Sequence, residues 1–268
     1  MVELVHRQSL SHNHSQLLLL LKLQKLPYYK NNKSMIYVSI DFSLNSTGVT
    51  FYKDGEYHFM SYINFDKSSK KTKEIIDKLS ESSNFSYHSY YRSPVTSPNL
   101  REDGLYGWER EHVENCIYYG EDLCQKISRT LLELYGEYNK ESVACIIENY
   151  SYSSQSSTLI QMVENTFSLK RSLIERVCNL ENFYIIPAPK VKAFVGKGSF
   201  DKYDMLKAFI NNGKVNAFHK CVSENENGFI KKRIKKGKEF NEVLCPVQDI
   251  IDSYWMLEYF LKQENINN

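Results

Sequence analysis

Three short β-rich segments joined by tight turns open the patterned part of this chain, and they constrain the sheet more than any other feature. Residues 36–42 (IYVSIDF) are an apolar run of strand formers, and residues 46–52 (STGVTFY) follow a turn containing Asn45. Lys53-Asp54-Gly55-Glu56 then supplies an Asp-Gly hairpin turn into a third segment, residues 57–63. A meander of this kind argues against an all-parallel nucleotide-binding sheet. Helix and strand patterns alternate afterwards. Leu123, Ile127, Leu131 and Leu134 recur at helical spacing before Gly136, residues 142–149 read as a buried strand, residues 158–178 as an amphipathic helix and residues 183–187 as a fifth strand. A closing helix over 247–261 carries Ile250, Ile251, Tyr254, Trp255, Leu257 and Tyr259. The pattern predicts an α/β domain, a mixed five-stranded sheet flanked by helices, over residues 35–268.

Two polar stretches interrupt that pattern. Residues 66–118 read as an insertion of loop with some helix, and residues 214–245 as a second insertion containing Lys231-Lys-Arg-Ile-Lys-Lys-Gly-Lys238. Residues 1–34, rich in His, Gln, Lys and Leu, are expected to be a flexible extension. They carry five Lys/Arg against one acid, which leaves 29 basic against 31 acidic residues, a balance of −2, for residues 35–268. A nucleic-acid footprint on the domain is therefore local. The six cysteines show no C-x-x-C pair and no zinc-ligand spacing with His, so reduced thiols in an intracellular, cytoplasmic protein are expected. The longest apolar run, residues 17–21, is far shorter than the ~20 residues of a membrane-spanning helix.

Four acids stand where apolar pattern would otherwise continue. Asp41 comes late in the first strand, Glu148 ends the strand Ala144-Cys-Ile-Ile147, and Asp249 and Asp252 sit at i and i+3 near the start of the closing helix, on one face. Singly, each has an ordinary explanation: a strand-end carboxylate, a core-edge ion pair, or the preference of a helix start for acids. Jointly they match what two-metal phosphodiester hydrolysis requires, several oxygen ligands converging so that two hard cations sit roughly 4 Å apart.

Ile40-Asp-Phe-Ser-Leu-Asn-Ser-Thr-Gly48 resembles the first motif of RuvC-type Holliday-junction resolvases, a branch of the RNase H-like superfamily. Ile146-Ile-Glu-Asn149 is similar to the second acidic motif, Val191-Lys-Ala-Phe-Val-Gly-Lys-Gly198 with Lys202 to the glycine-lysine stretch, and Asp249-Ile-Ile-Asp252 to the closing Asp-x-x-Asp. The resemblance implies an RNase H-like sheet and a homodimer. It also implies two Mg²⁺ or Mn²⁺ ions per site on Asp41, Glu148, Asp249 and Asp252, with branched DNA, above all the four-way junction, as substrate. It places Lys192 and Lys202 near the scissile phosphate and leaves Lys197 open. It puts a base-stacking aromatic at Tyr150 or Tyr152 without choosing between them. Lys231, Lys232 and Arg233 are expected to contact phosphates. The Asn, Lys, Tyr and Ile bias loosely suggests a viral or phage source. Alternatives on the same scaffold are a nuclease for other branched DNA or RNA–DNA hybrid and a non-catalytic DNA-binding module. A packaging terminase would need a Walker-type loop, and an actin-like ATPase a second glycine-rich loop; the sequence has neither.

Overall fold

The computed structural model describes residues 34–64, 69–90, 107–149, 156–235 and 237–266. The expected extension lies outside these residues except for Ser34, whose hydroxyl donates to the Asp54 carboxylate at 2.8 Å. All five expected strands form: β1 (Ile36–Asp41), β2 (Ser46–Lys53), β3 (Glu56–Asn64), β5 (Val143–Glu148) and β6 (Phe183–Ile186). A sixth, β4 (Phe85–Tyr90), joins them, and the order across the sheet is β4-β3-β2-β1-β5-β6. The meander β1-β2-β3 is antiparallel, whereas β3–β4, β1–β5 and β5–β6 are parallel.

Among the described residues seven α-helices accompany the sheet: α1 (Lys70–Leu79), α2 (Gly107–Tyr135), α3 (Ser156–Arg176), α4 (Ala188–Val195), α5 (Lys202–Asn212), α6 (Ala217–Glu224) and α7 (Val247–Gln263). Because strand side chains alternate, each central strand feeds two cores. Val38, Ile40, Val49, Met60 and Ile147 pack with Leu123, Ile127, Leu169 and Leu173 of α2 and α3. Tyr37, Phe59 and Ile146 face the other way, toward Phe209, Phe218, Ile250, Tyr254 and Leu257 of α5, α6 and α7. Burial on both faces explains why β1 and β5 read as nearly unbroken apolar runs.

Both polar stretches hold more regular structure than their composition implies. Within 66–118, α1 forms behind its Ser69 cap, α2 starts at Gly107 rather than at 121, and Phe85-Ser-Tyr-His-Ser-Tyr90 is a strand. That strand buries only its end residues, Phe85 and Tyr90, so an edge position on β3 suffices for so polar a segment. Helix α2 extends N-terminally because Cys116 and Tyr119 continue the buried stripe of Leu123 and Ile127. In 214–245, Phe218 and Val222 seat α6 in the core. The basic run forms one arm of a separate antiparallel hairpin, β7 (Ile230–Lys235) and β8 (Lys238–Val243). None of the six cysteines forms a disulfide. Among the described residues no helix is long and apolar enough to cross a membrane.

Candidate active site

Register alone brings the first two acids together. Strands β1 and β5 run parallel with Ile40 beside Ile147, so the next residues, Asp41 and Glu148, leave the same edge of the sheet. Residues 37, 39 and 41 share a face, as do 144, 146 and 148; Tyr37, Ala144 and Ile146 on that face belong to the core that contains α7. Both acids therefore point toward the closing helix. On the antiparallel side Asp41 is paired with Gly48.

Beside the acids the same face of β2 carries small residues, Ser46, Gly48 and Thr50, which lets α7 approach. A methyl group at Gly48 would stand 2.2 Å from the Asp249 backbone carbon and 2.4 Å from the Ile250 nitrogen, so only glycine fits beneath the first turn of α7. One turn further along, the Thr50 and Ser253 hydroxyls share a hydrogen bond of 2.7 Å, both fully buried. This contact fixes the rotation of α7, and with it the direction of Asp249 and Asp252. In the sequence Gly48 stands out only as part of the first motif, yet a glycine inside a strand is itself the signal of a close backbone approach.

The loop after Asp41 is pinned from the other side of the sheet. Thr47 Oγ1 donates to the Ser43 carbonyl at 3.0 Å and shares a 2.7 Å hydrogen bond with the Tyr119 hydroxyl of α2, and the Tyr90 hydroxyl of β4 donates to the Leu44 carbonyl. Tyr90 and the first half of α2, ending beside Tyr119, come from the stretch read as an insertion. Its described part thus supports the loop that positions Asp41.

Lys202 completes the cluster. Asp201 caps α5 in a reciprocal capping box with Asp204, and the indole of Trp255 in α7 donates to the Met205 carbonyl at 3.2 Å, so α5 is locked to α7. Lys202, the first residue of α5, forms an ion pair with Asp252. Burial opposes its charge, but Asp252 and Asp41 outweigh that and hold the ammonium above the ordinary lysine range. Asp41 is 7% exposed and Asp249 4%. Burial pushes the Asp41 carboxyl well up, Lys202 pulls it back, and Asp252, Glu148 and Asp249 push it further. Asp249 is pushed up to about 6 by burial, eased by the Ser46 hydroxyl and Lys202 and raised by Asp252.

The four acids are thus within electrostatic reach of one another, all of hard oxygen chemistry, and one buried oxygen, Asp249 Oδ2, has no hydrogen-bond partner. That orphaned oxygen and an all-carboxylate donor set fit a divalent cation. Among the described residues, however, no three acidic, His or Cys side chains stand close enough to hold a metal as they are. The cationic partner provided by the chain itself is Lys202.

Of the other expected contacts, Lys192 lies half-buried in the last turn of α4 and Lys197 is exposed in the following loop. A methyl at Gly196 would meet the tip of the Phe200 ring at 2.3 Å, whereas Gly198 has open space. Lys231, Lys232 and Arg233 are exposed on β7, which belongs to a two-stranded sheet separate from the one that bears Asp41 and Glu148. Tyr150 and Tyr152 lie outside the described residues. A cavity of about 610 Å³ lined by Tyr57, Asn84 and Lys214 is at the other end of β2 and β3 and contains none of the acids.

The elevated carboxyl of Asp249 has a thermodynamic consequence. With an ordinary value near 4 in the unfolded chain and about 6 when folded, the native state holds the extra proton between those values. Its stabilising contribution is therefore complete below about pH 4 and is lost as pH rises through about 6. Asp249→Asn should remove that cost at pH 7. The relief, on the order of 2 kcal/mol, exceeds the ~0.3–1 kcal/mol an acid gains in a first helical turn. The expected result is a melting temperature of the metal-free protein raised by roughly 5 °C at pH 7 and by much less at pH 4. A melting temperature lowered equally at both pH values would show that Asp249 serves the fold instead.

No protein-family model matches the chain, and no curated protein matches it. Among solved structures it is similar to that of Thermus thermophilus RuvC, with 10% identity, a TM-score of 0.44 and coverage of 86% of this chain and 97% of that one. It is also similar to T. thermophilus RuvC in complex with a Holliday junction substrate, with 8% identity, a TM-score of 0.43 and coverage of 85% and 96%. A third is the yeast mitochondrial Holliday junction resolvase Ydc2, with 11% identity, a TM-score of 0.39 and coverage of 86% and 81%. At such identities and TM-scores these likenesses say nothing of activity. The chain's own strand order and directions, an antiparallel β3-β2-β1 meander continued by parallel β5 and β6, are those expected of an RNase H-like sheet, with a sixth strand, β4, added beyond β3.

Proposed function

We propose that the protein is a structure-specific endodeoxyribonuclease that cleaves Holliday junctions and related branched DNA. The observation that carries this reading is the gathering of Asp41, Glu148, Asp249 and Asp252 at one sheet edge beneath the first turns of α7, with an unsatisfied carboxylate oxygen among them. In it these four residues hold two Mg²⁺ or Mn²⁺ ions, which when bound lower the pKa of attacking water and neutralise charge on the phosphate. Lys202 keeps its ammonium charged beside the acids and donates to a phosphate oxygen, while Lys192 and Lys197 guide the strand and Tyr150 or Tyr152 stacks on unpaired bases. A homodimer would present two such edges to one junction.

One observation favours a second reading, a DNA-binding module without catalysis. The Lys202–Asp252 pair already compensates part of the carboxylate repulsion, so the cluster can persist without a cation. The two readings separate when purified protein with Mg²⁺ is given a four-way junction, a flap, a nicked duplex and an RNA–DNA hybrid. Paired symmetric nicks in the junction are expected. Preferential cutting of the hybrid would assign another substrate, and tight junction binding without cleavage in either Mg²⁺ or Mn²⁺ would leave the module.

A further inference from the structure

The hairpin β7–β8 concentrates positive charge on a domain that is otherwise acidic. Residues 230–243 hold six Lys/Arg against two Glu, whereas residues 35–268 as a whole carry −2. Its base is firmly seated: Val243 is 2% exposed, Ile230 packs on the core, and the Leu244 amide donates to the Phe229 carbonyl at 2.9 Å. Away from the base both strands are open to solvent, and Ile234 is 74% exposed. Three residues after Val243 the chain reaches Pro246, the cap of the helix that bears Asp249 and Asp252.

Register sorts the hairpin into two faces. Ile230 and Val243 are paired and point to the core, so Lys232, two residues along from Ile230, lies on that side. Lys231 and Arg233 lie on the opposite, outward side, with their partners Glu242 and Phe240. The Arg233 guanidinium is held by the Glu242 carboxylate at 2.6 Å, and Phe240, 40% exposed, is its partner in register. An outward face with two cations among its described side chains, one of them tied down by an acid, is suited to a polyanion whose phosphates displace that acid. Strands of six residues extend about 20 Å, which spans about six base-pair steps of duplex, and a two-stranded ribbon is narrow enough for a major groove.

Resting on the nuclease reading above, we propose that the β7–β8 hairpin is a duplex-binding arm: its outward face, Lys231 and Arg233, grips DNA flanking the cleaved phosphate, and Glu242 limits that grip by competing for Arg233. The three basic residues expected to act together thus divide by register, Lys232 standing exposed on the face opposite Lys231 and Arg233. The arm adds affinity and salt dependence while the carboxylate edge does the chemistry.

Titration of a fluorescein-labelled four-way junction and of a labelled 30-base-pair duplex with the full chain in EDTA, at several NaCl concentrations, tests this by anisotropy. K231Q/R233Q should weaken binding about tenfold near 150 mM salt and flatten the log K against log[salt] slope by about two. K232Q should leave the slope unchanged. E242Q should tighten binding about threefold, an improvement that loss of a purely structural ion pair would not produce. Equal slopes for wild type and K231Q/R233Q, or weaker binding by E242Q, would overturn the arm while leaving junction cleavage by the wild type, and hence the nuclease reading, in place. A wild-type chain that binds neither DNA overturns both. Melting temperatures, expected unchanged for all variants because the substituted side chains are on the surface, show that each has folded.

Discussion

Asp41→Asn is expected to lower junction cleavage by about three orders of magnitude, at the same time leaving junction binding in EDTA near that of the wild type. The loss corresponds to about 4 kcal/mol of transition-state stabilisation, the scale of removing one oxygen ligand from a cation pair that neutralises a developing phosphate charge. Asp41 is nearly inaccessible, its carboxyl is driven upward by burial and by three neighbouring acids, and only Lys202 relieves it. Such a group is costly to the fold, and the proposed cation pair would account for its retention. Asp252→Asn should lower cleavage by a similar factor with the opposite effect on stability. It leaves the Lys202 ammonium without its partner, so the metal-free protein should melt lower, whereas Asp41→Asn should melt higher. Calorimetry with Mg²⁺ checks the cause: each variant should lose measurable binding heat. Wild-type cleavage by Asp41→Asn would remove the carboxylate edge from the mechanism.

The second large effect is expected from a single methyl group. Gly48→Ala places a carbon within 2.2 Å of the Asp249 backbone, and backbone, unlike the end of a flexible side chain, cannot move aside without shifting α7. Overpacking of this sort costs typically 1–3 kcal/mol. Because the clash is with a helix buried along most of its length, about 3 kcal/mol or more is expected. A shifted α7 also displaces Asp249 and Asp252 from Asp41, so cleavage should fall more than the unfolded fraction accounts for. Urea unfolding beside initial cleavage rates measures both. Gly198→Ala, which meets nothing within 4 Å, is the control and should change stability little. Equal stability for Gly48→Ala and wild type would contradict the close packing of β2 on α7.

Much of the framework was legible in the chain because its causes are local. The Asp-Gly turn at 54–55 between the β-rich runs 46–52 and 57–63 favours an antiparallel meander wherever the segment folds, and apolar runs interrupted by Asp41 and ended by Glu148 announce strands whose acids emerge at an edge. The i, i+3 spacing of Asp249 and Asp252 fixes their common helix face in the same way. Where composition was the guide, the reading fell short. A polar stretch can still add an edge strand if its end residues are buried, as in Phe85–Tyr90, and a run of lysines can form half of a ribbon if its partner strand arrives a few residues later, as in Ile230–Val243.

The sequence by itself determined which residues could be ligands and in what order the strands and helices come, since both follow from residue type and short-range periodicity. Only the tertiary structure decided that β5 aligns beside β1 so that Glu148 meets Asp41, that α7 descends onto Gly48, that Tyr90 and Tyr119 brace the loop after Asp41, and that Lys202 answers Asp252. These are pairings between residues tens to hundreds of positions apart, and they depend on how two cores close around one sheet. No local preference encodes them; packing complementarity and the cost of burying unpaired charge select them together.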